Sequence, residues 1–333
     1  MPSSTSFVMQ IANLCIEIDG YNGEDSACLR DLKRVFAHHE VGPDNKAVHR
    51  IVVCASKQFV IPSEAVIQWV SPCLGVADKL PRRRFPFFAR LFGREMELPR
   101  YSGTCDVICY KDTRRQVMYF MTKNAEWRIE HNAAGHVTYV YSDIQIDMSD
   151  GLPAMLINVI GSQYGCYILF ASCVAADGEA LLFAGRGGVG KTTLCMELIR
   201  QGATYIGDDI VLVYQEGSQA MAGSLLFPVK YCNNRINHKN KIDVVSQLQQ
   251  RPPLNVPLKS VYYLQRSDKA ESYRKPMPGG TMFEKMLDLT NKANTNSDAQ
   301  HFVDTISHVC DTVQCYYLFY GDYNKIDISF FRP

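Results

Sequence analysis

The chain lacks a strong charge bias and a long apolar run. Its 35 basic and 34 acidic residues leave a formal net charge of +1 over 333 residues, so bulk electrostatics favours neither nucleic acid nor an anionic membrane as the main partner. No run approaches the roughly 18 apolar residues of a membrane-spanning helix. The N-terminal segment also lacks the basic start and apolar core of a signal peptide. We therefore expect a cytoplasmic protein with no transmembrane segment and no nucleic-acid partner.

The sequence also lacks paired cysteines, although it contains 12 cysteines. None of them forms a C-x-x-C pair, and several stand singly inside apolar runs such as IVVCAS and SHVCD. Such cysteines are typical of small buried side chains in a reducing compartment. The histidines give no metal signal either, since His38–His39 and the pair His131 and His136 have no companion at ligand spacing.

Residues 1–150 are predicted to form a β-rich N-terminal domain that binds an acceptor or a partner. Short β-branched and aromatic segments separated by turn residues indicate antiparallel strands, and residues 7–20 alternate as one strand would. The basic, aromatic stretch 80–100 interleaves arginines with phenylalanines. It favours either an amphipathic packing segment or a patch for an acidic peptide, a membrane surface or a polyanion. The strand segments are residues 7–20, 50–60, 65–70, CDVICYKD, QVMYFMTK, EWRIEH and HVTYVYSD.

The pattern changes near residue 150, and residues 151–333 are predicted to form an α/β domain. LPAMLINVIGS has the composition of a buried helix. CYILFASCVAA, ALLFAG and TYIGDDIVLVY are each predicted as one strand, with the helix TTLCMELIRQG before the last. The polar run 267–281 is predicted as a surface loop, with Gly279–Gly280 as a flexible joint. HFVDTISHVCDTV and CYYLFYGD are a later helix and strand.

The segment GRGGVGKT, residues 185–192, matches the Walker A pattern G-x-x-x-x-G-K-[ST] between a predicted strand and a predicted helix. Its glycines permit positive φ, so that successive backbone N–H groups can point at phosphate oxygens. Lys191 would bind the β- and γ-phosphates, and the Thr192 hydroxyl would be a magnesium ligand. The helix that follows adds the positive end of its dipole. This P-loop predicts nucleotide binding.

Two adjacent carboxylates, Asp208 and Asp209, follow in TYIGDDIVLVY. In an extended chain, neighbouring side chains point to opposite faces. One carboxylate could then face magnesium while the other faces an incoming hydroxyl as a general base. The pair therefore favours phosphoryl transfer over nucleotide binding alone.

The stretch LLFAGRGGVGKTTLCMELIRQGATYIGDDIVLVY resembles the nucleotide-binding core of the HPr kinase/phosphorylase-like family. Phosphoenolpyruvate carboxykinase is a structural cousin with a similar G-K-T-T and G-D-D. The resemblance covers roughly residues 160–325 and implies a P-loop, mixed-sheet α/β kinase domain with ATP and Mg²⁺ as cofactors. It implies Asp208 as catalytic base with Lys191, and Asp209 with Thr192 as metal partners, although the two aspartates could exchange roles. The implied nucleotide-binding residues are Gly185, Gly188, Val189, Gly190, Lys191, Thr192 and Thr193.

Two departures from that family's pattern limit the resemblance. Phe170 stands where family members often carry a histidine near the catalytic aspartate. The glycine- and arginine-bearing signature by which HPr kinases engage their carrier protein is also missing, so the chain is not a true HPr kinase.

The leading hypothesis is an ATP-dependent kinase that phosphorylates a hydroxyl of a peptide, protein or small molecule, most simply a serine. The alternative is a catalytically inactive nucleotide-binding regulatory or scaffold protein of the same fold. A carboxykinase-type enzyme is a weaker third reading. Homo-oligomerisation stays open.

Overall fold

The computed structural model describes residues 7–42, 45–55, 59–72, 106–122, 127–142, 152–225, 229–232, 239–242, 253–268, 271–289, 299–321 and 326–331. The basic, aromatic stretch 80–100 lies outside these ranges. The chain divides into two compact units, one built mainly from Leu14–Gln163 and the other mainly from Tyr164–Asn294 and Asp298–Pro333. No helix within the described ranges combines the length and apolar composition needed to cross a membrane.

The first unit contains an eight-stranded sheet with the strand order β1-β2-β3-β8-β7-β6-β5-β4. The strands β2, β3 and β8 run parallel, and the pairs from β8 to β4 are antiparallel. Its strands are β1 (Phe7–Ile11), β2 (Leu14–Gly20), β3 (His49–Cys54), β4 (Val66–Pro72), β5 (Asp106–Asp112), β6 (Val117–Thr122), β7 (Arg128–Asn132) and β8 (Val137–Tyr141).

The helix α1 (Ala27–Val35) connects the parallel strands β2 and β3, as parallel neighbours require a crossover. Its N-cap is Ser26, whose Oγ accepts a hydrogen bond from the Leu29 N–H at 3.1 Å. A second helix, α2 (Leu152–Gln163), is buried along nearly its whole length. This confirms the prediction of a buried helix from its uniformly apolar sequence.

The prediction of one strand over residues 7–20 is wrong, because the chain turns between β1 and β2. Ala12 has a φ of 54°, which no strand accommodates. Both strands nevertheless keep the alternation of buried and half-buried residues. The periodicity was therefore informative about the buried face, but it did not reveal the turn.

The second unit contains a nine-stranded mixed sheet and a separate two-stranded ribbon. At its centre the strands β11, β17 and β19 lie side by side and parallel. Its strands are β9 (Tyr167–Leu169), β10 (Ser172–Ala176), β11 (Glu179–Ala184), β12 (Thr204–Gly207), β13 (Val211–Glu216), β14 (Gln219–Gly223), β17 (Asn255–Arg266), β18 (Tyr273–Pro276) and β19 (Gln314–Tyr320), and the ribbon is β15 (Val229–Cys232) with β16 (Lys239–Ile242).

Among the described residues, three helices belong to this unit: α3 (Lys191–Arg200), α4 (Gly279–Leu289) and α5 (Ala299–Thr312). Apolar residues of α3 share one core cluster with one set of alternating residues of β11, β17 and β19. The residues of α4 and α5 share a second cluster with the other set. Because alternate residues of a strand point to opposite faces, α3 covers one face of the central strands, and α4 and α5 cover the other.

The predicted loop over residues 267–281 is wrong in its second half. Tyr273–Pro276 forms β18, and Gly279 begins α4. A Cβ on Gly279 would lie 2.9 Å from the Cys310 carbonyl oxygen of α5. The glycine therefore serves close helix packing and not a flexible joint.

The predictions of one strand for CYILFASCVAA and for TYIGDDIVLVY are also wrong, since each segment forms two strands. The first breaks at Phe170–Ala171 and the second at Asp208–Ile210. The strands before and after each break pair with different neighbours: β10 pairs with β11 and β12, whereas β9 pairs with β13. Both segments therefore change partners at the same level of the sheet.

Candidate functional site

The glycine-rich loop connects the end of β11 to the start of α3. Ala184 ends the buried strand, and Lys191 begins the helix. Three glycines of the loop have positive φ: 146° at Gly185, 74° at Gly188 and 104° at Gly190. L-residues rarely adopt these conformations, so the glycines allow the loop to turn its backbone N–H groups inward.

Two of these glycines differ in their surroundings. A Cβ on Gly185 would lie 3.1 Å from Val189 Cγ1 and 3.3 Å from the Leu264 carbonyl oxygen, so only glycine fits against β17. Gly188 is exposed and has no atom within 4 Å of an added Cβ among the described residues. The loop is thus packed against the sheet at its start and open at its middle, as a phosphate-binding loop requires.

The remaining predicted nucleotide-binding residues lie in the same loop or in the first turn of α3. The Val189 N–H closes a turn to the Arg186 carbonyl at 3.2 Å. The Lys191 Nζ donates hydrogen bonds to the carbonyl oxygens of Gly185 at 3.0 Å and Arg186 at 3.3 Å. The ammonium group therefore lies beside the backbone of the loop itself. Thr193 is half-buried.

Thr192 and Asp208 are joined directly, although they lie on different elements. The Thr192 hydroxyl is 2.9 Å from Asp208 Oδ1 and 3.0 Å from Oδ2. Asp208 is only 6% exposed. The hydroxyl predicted to bind magnesium is therefore in contact with a buried carboxylate.

A third residue completes this group. Ser172, the first residue of β10, donates a hydrogen bond from its Oγ to Asp208 Oδ1 and is itself fully buried. Ser172 precedes Cys173, and Asp208 follows Gly207. Because Cys173 and Gly207 are paired across the antiparallel strands β10 and β12, Ser172 lies opposite Asp208. Sequence reasoning missed Ser172, since the only signal was a serine in an otherwise apolar strand.

The environment of Asp208 raises the pKa of its carboxyl to about 6. Burial is the largest cause and the charge of Asp209 is the next, while hydrogen bonds from Ser172 and Thr192 and the charge of Lys191 act in the opposite direction. Asp208 also raises the pKa of the neighbouring Cys195 thiol, whose burial is the larger cause. The site thus holds a carboxylate that is costly to ionise without a cation.

Asp209 lies in a different environment from Asp208. It is exposed, and its φ of 62° places it in the left-handed region. The two side chains are separated by this turn and not by the alternation of an extended strand, which was the expected cause. Of the two carboxylates, Asp208 contacts Thr192, whereas the metal-binding role was assigned to Asp209.

The donor set at this site suits a magnesium ion held partly by nucleotide phosphates. Mg²⁺ commonly takes one or two carboxylates, waters and phosphate oxygens from the protein–nucleotide complex. Thr192 and Asp208 supply one hydroxyl and one carboxylate beside the open glycine loop. No group of three or more His, Cys, Asp or Glu side chains close enough to hold a metal exists in the described part of the chain.

Comparisons with known proteins assign no family. No family model matches the chain, and no curated protein matches it. Among solved structures, the chain is similar to the Hpr(Ser) kinase/phosphatase from Coxiella burnetii, with 14% sequence identity and a TM-score of 0.30 over 47% of this chain and 87% of that chain. At this score the likeness shows neither family membership nor activity.

Proposed function

We propose that the chain is an ATP-dependent phosphotransferase that passes the γ-phosphoryl group to a hydroxyl, most simply the hydroxyl of a serine in a peptide, protein or small molecule. The contact between Thr192 of the glycine loop and the buried Asp208 carries the proposal. A loop that only binds phosphate does not need such a carboxylate. In P-loop enzymes that transfer the γ-phosphoryl group, the loop Ser or Thr and an acidic residue hold the Mg²⁺ ion that neutralises the developing charge.

The loop residues would bind and orient the triphosphate. Backbone N–H groups between Gly185 and Gly190 would donate to phosphate oxygens. Lys191 would exchange its two backbone carbonyl partners for the β- and γ-phosphates. This exchange replaces two ammonium–carbonyl hydrogen bonds with two hydrogen bonds between oppositely charged groups.

The geometry favours Asp208 as the metal-side carboxylate. It is already bonded to Thr192, and a cation beside it would relieve the cost of ionising a buried group. A magnesium ion would supply charge neutralisation of the phosphates in this position. Ser172 would hold the carboxylate in the orientation that the site needs.

Asp209 is then the residue that is available to the acceptor. It is exposed, adjacent to Asp208 and held in a turn. In this assignment Asp209 accepts the proton of the acceptor hydroxyl as its oxygen attacks the γ-phosphorus, the bond to the bridging oxygen breaks, and ADP leaves. This exchanges the two roles that the family resemblance implies.

Paired substitutions test the assignment. Asp209→Asn is expected to leave the affinity for Mg-ATP within about three-fold and to lower the transfer rate by about 100-fold or more, since general bases contribute factors of this order. Asp208→Asn is expected to weaken the magnesium dependence of ATP binding as well as transfer. The measurements are calorimetric ATP titrations at several Mg²⁺ concentrations and phosphoryl transfer from labelled ATP to free serine and serine peptides. If the two variants show the reverse pattern, Asp208 is the base.

A second candidate is a nucleotide-binding regulatory or scaffold protein without transfer activity. The observation that favours it is Phe170, which lies at the break between β9 and β10, two residues before Ser172. A phenylalanine side chain at this position cannot transfer a proton. Labelled ATP incubated with a panel of hydroxyl acceptors, with Lys191→Ala as the control, separates the two candidates. Binding that depends on Lys191 without transfer to any acceptor would support the scaffold.

A further inference from the structure

Four aromatic side chains form a continuous row on the second unit's sheet. The row consists of Tyr263 on β17, Tyr317 and Phe319 on β19, and Tyr273 on β18. The ring centroids of successive members are 6.4, 6.0 and 4.8 Å apart. All four side chains are half-buried, so the row reaches the surface of the unit.

Strand register places Tyr263 and Tyr317 level with the last residue before the glycine loop, and the row lies on the face of the sheet that α4 and α5 cover, opposite α3. Ala184, the last residue before Gly185, is paired with Tyr263, and Tyr263 is paired with Tyr317. Phe319 lies two residues further toward the carboxyl end of β19. Neighbouring strands are about 4.8 Å apart, so β19 lies on the order of 10 Å from the strand that carries the loop. A nucleoside joined to phosphates in the loop extends over a distance of the same order.

The outer half of the row is not part of the core. Tyr263 and Tyr317 pack against the cluster formed with α4 and α5. Tyr273 and Phe319 belong neither to this cluster nor to the cluster formed with α3. Their rings are stacked with an interplanar angle of 10°. In such a stacked pair each ring covers one face of the other, and a nucleobase would stack on an outer face of the half-exposed pair.

Two lysines supply positive charge along the same row. Lys275 Nζ lies 5.8 Å from the ring centroids of both Tyr273 and Phe319, and Lys275 is exposed. Lys285 Nζ lies 5.5 Å from the ring of Tyr263. Cations at these positions suit a ligand that combines an aromatic ring with negative charge, which describes a nucleotide.

We propose that Tyr273 and Phe319 form the stacking site for the nucleobase of the nucleoside triphosphate, with Lys275 donating to the base or to the phosphate nearest the sugar. This rests on the proposed function, because the phosphates must lie in the glycine loop. It assigns a role to β18, an edge strand that pairs only with β19 among the described strands.

The test compares two ligands that share the phosphates and differ in the nucleoside. Mg-ATP and Mg-tripolyphosphate are titrated calorimetrically into the full chain and into Tyr273→Ala and Phe319→Ala. We expect the dissociation constant for ATP to rise about five-fold to 150-fold, because alanine substitution of a stacking aromatic costs about 1–3 kcal/mol. The dissociation constant for tripolyphosphate is expected to change by less than about two-fold.

Two conservative variants guard against loss of folding. Tyr273→Phe keeps the ring and is expected to bind ATP as the unmodified protein does. Tyr273→Leu keeps apolar volume on β18 without the π-face and is expected to behave as Tyr273→Ala does. Equal weakening of ATP and tripolyphosphate would overturn the proposal, because the residues would then support the loop and not the base.

The remaining outcomes separate this proposal from the proposed function. Unchanged ATP affinity in Tyr273→Ala and Phe319→Ala would overturn the nucleobase site and leave the kinase intact. A raised KM for a serine peptide with unchanged ATP affinity would also overturn it and would assign the aromatic row to the acceptor. Failure of the unmodified protein to bind either ligand would overturn both proposals.

Discussion

A single buried hydroxyl group orients the carboxylate on which the candidate site depends. Ser172 donates to Asp208 and is fully buried, so its own hydroxyl has lost its contact with water. Hydrogen bonds to a charged group contribute about 1.5–3 kcal/mol. At the residue scale, we therefore expect Ser172 to act as a positioning residue through Asp208.

We expect Ser172→Ala to lower the transfer rate about ten-fold or more and to raise the Mg²⁺ concentration needed for half-maximal activity, because Asp208 loses one of its two hydrogen-bonding hydroxyls. The matched control is Ser162→Ala. Ser162 is also a buried serine, but its Oγ donates to the Val159 carbonyl in the other unit. The positioning role would be contradicted if both variants had a lower melting temperature and Ser172→Ala kept the Mg²⁺ requirement of the unmodified protein.

At the scale of elements, close packing of two helices explains one of the sequence errors. Gly279 begins α4 against the Cys310 carbonyl of α5, whereas Gly280 has open space around an added Cβ. Two neighbouring glycines in one helix turn thus have different roles. Sequence alone treats them as equivalent.

These two glycines give a matched pair of substitutions. Gly279→Ala is expected to destabilise the protein by about 1–3 kcal/mol, since the added carbon overpacks a helix contact. Gly280→Ala is expected to stabilise it by up to about 1 kcal/mol, because alanine is the better helix former. Urea denaturation of both variants measures the difference. Equal effects of the same sign would show that the contact with Cys310 relaxes freely.

The parts of the site that lie close together in sequence could be predicted from it. The glycine loop needs only a strand, positive φ at its glycines and a helix, all within residues 179–200. Ser172 and the direct contact of Thr192 with Asp208 could not be predicted, because they depend on where two segments change strand partners. An apolar run extends across the break at Phe170–Ala171, so nothing there signals a turn. At the second break Gly207, Asp208 and Asp209 are turn-type residues, but the apolar residues on both sides suggested one continuous strand. The hydrophobic period of a segment predicts which of its residues are buried. The geometry of the site depends on which distant strands pair with each other.

At the scale of the whole molecule, two buried histidines link stability to pH. His49 and His131 are 2% and 1% exposed, and each has a ring nitrogen 2.9 Å from the Thr138 hydroxyl. Burial lowers the pKa of His49 to about 3, with smaller contributions from His131 and His136, and lowers the pKa of His131 to about 4. The folded protein therefore keeps both rings neutral at a pH where the unfolded chain has begun to bind protons.

We expect the free energy of unfolding to fall as the pH drops below the ordinary histidine value of about 6.5. In that range the unfolded chain binds more protons than the folded chain, so stability rises with pH and is lost on acidification. Each histidine can contribute a slope of up to about 1.4 kcal/mol per pH unit until its folded pKa is reached. Between pH 7 and pH 5 we expect the two together to lower the free energy of unfolding by about 2–4 kcal/mol. Urea denaturation at each pH checks this.

Substitution of one partner isolates this linkage from the other titrations of the chain. His131→Gln keeps a group that can hydrogen-bond to Thr138 but cannot titrate, so about half of the pH slope should disappear even if the variant is less stable at pH 7. His38→Gln is the control for the substitution of a histidine, because His38 is exposed. An undiminished slope in His131→Gln would mean that the acid sensitivity arises from other groups. If the slope of unfolding free energy against pH falls in His131→Gln and not in His38→Gln, the acid sensitivity of the first unit's sheet arises at the hydrogen bonds that join Thr138 on β8 to His49 on β3 and His131 on β7.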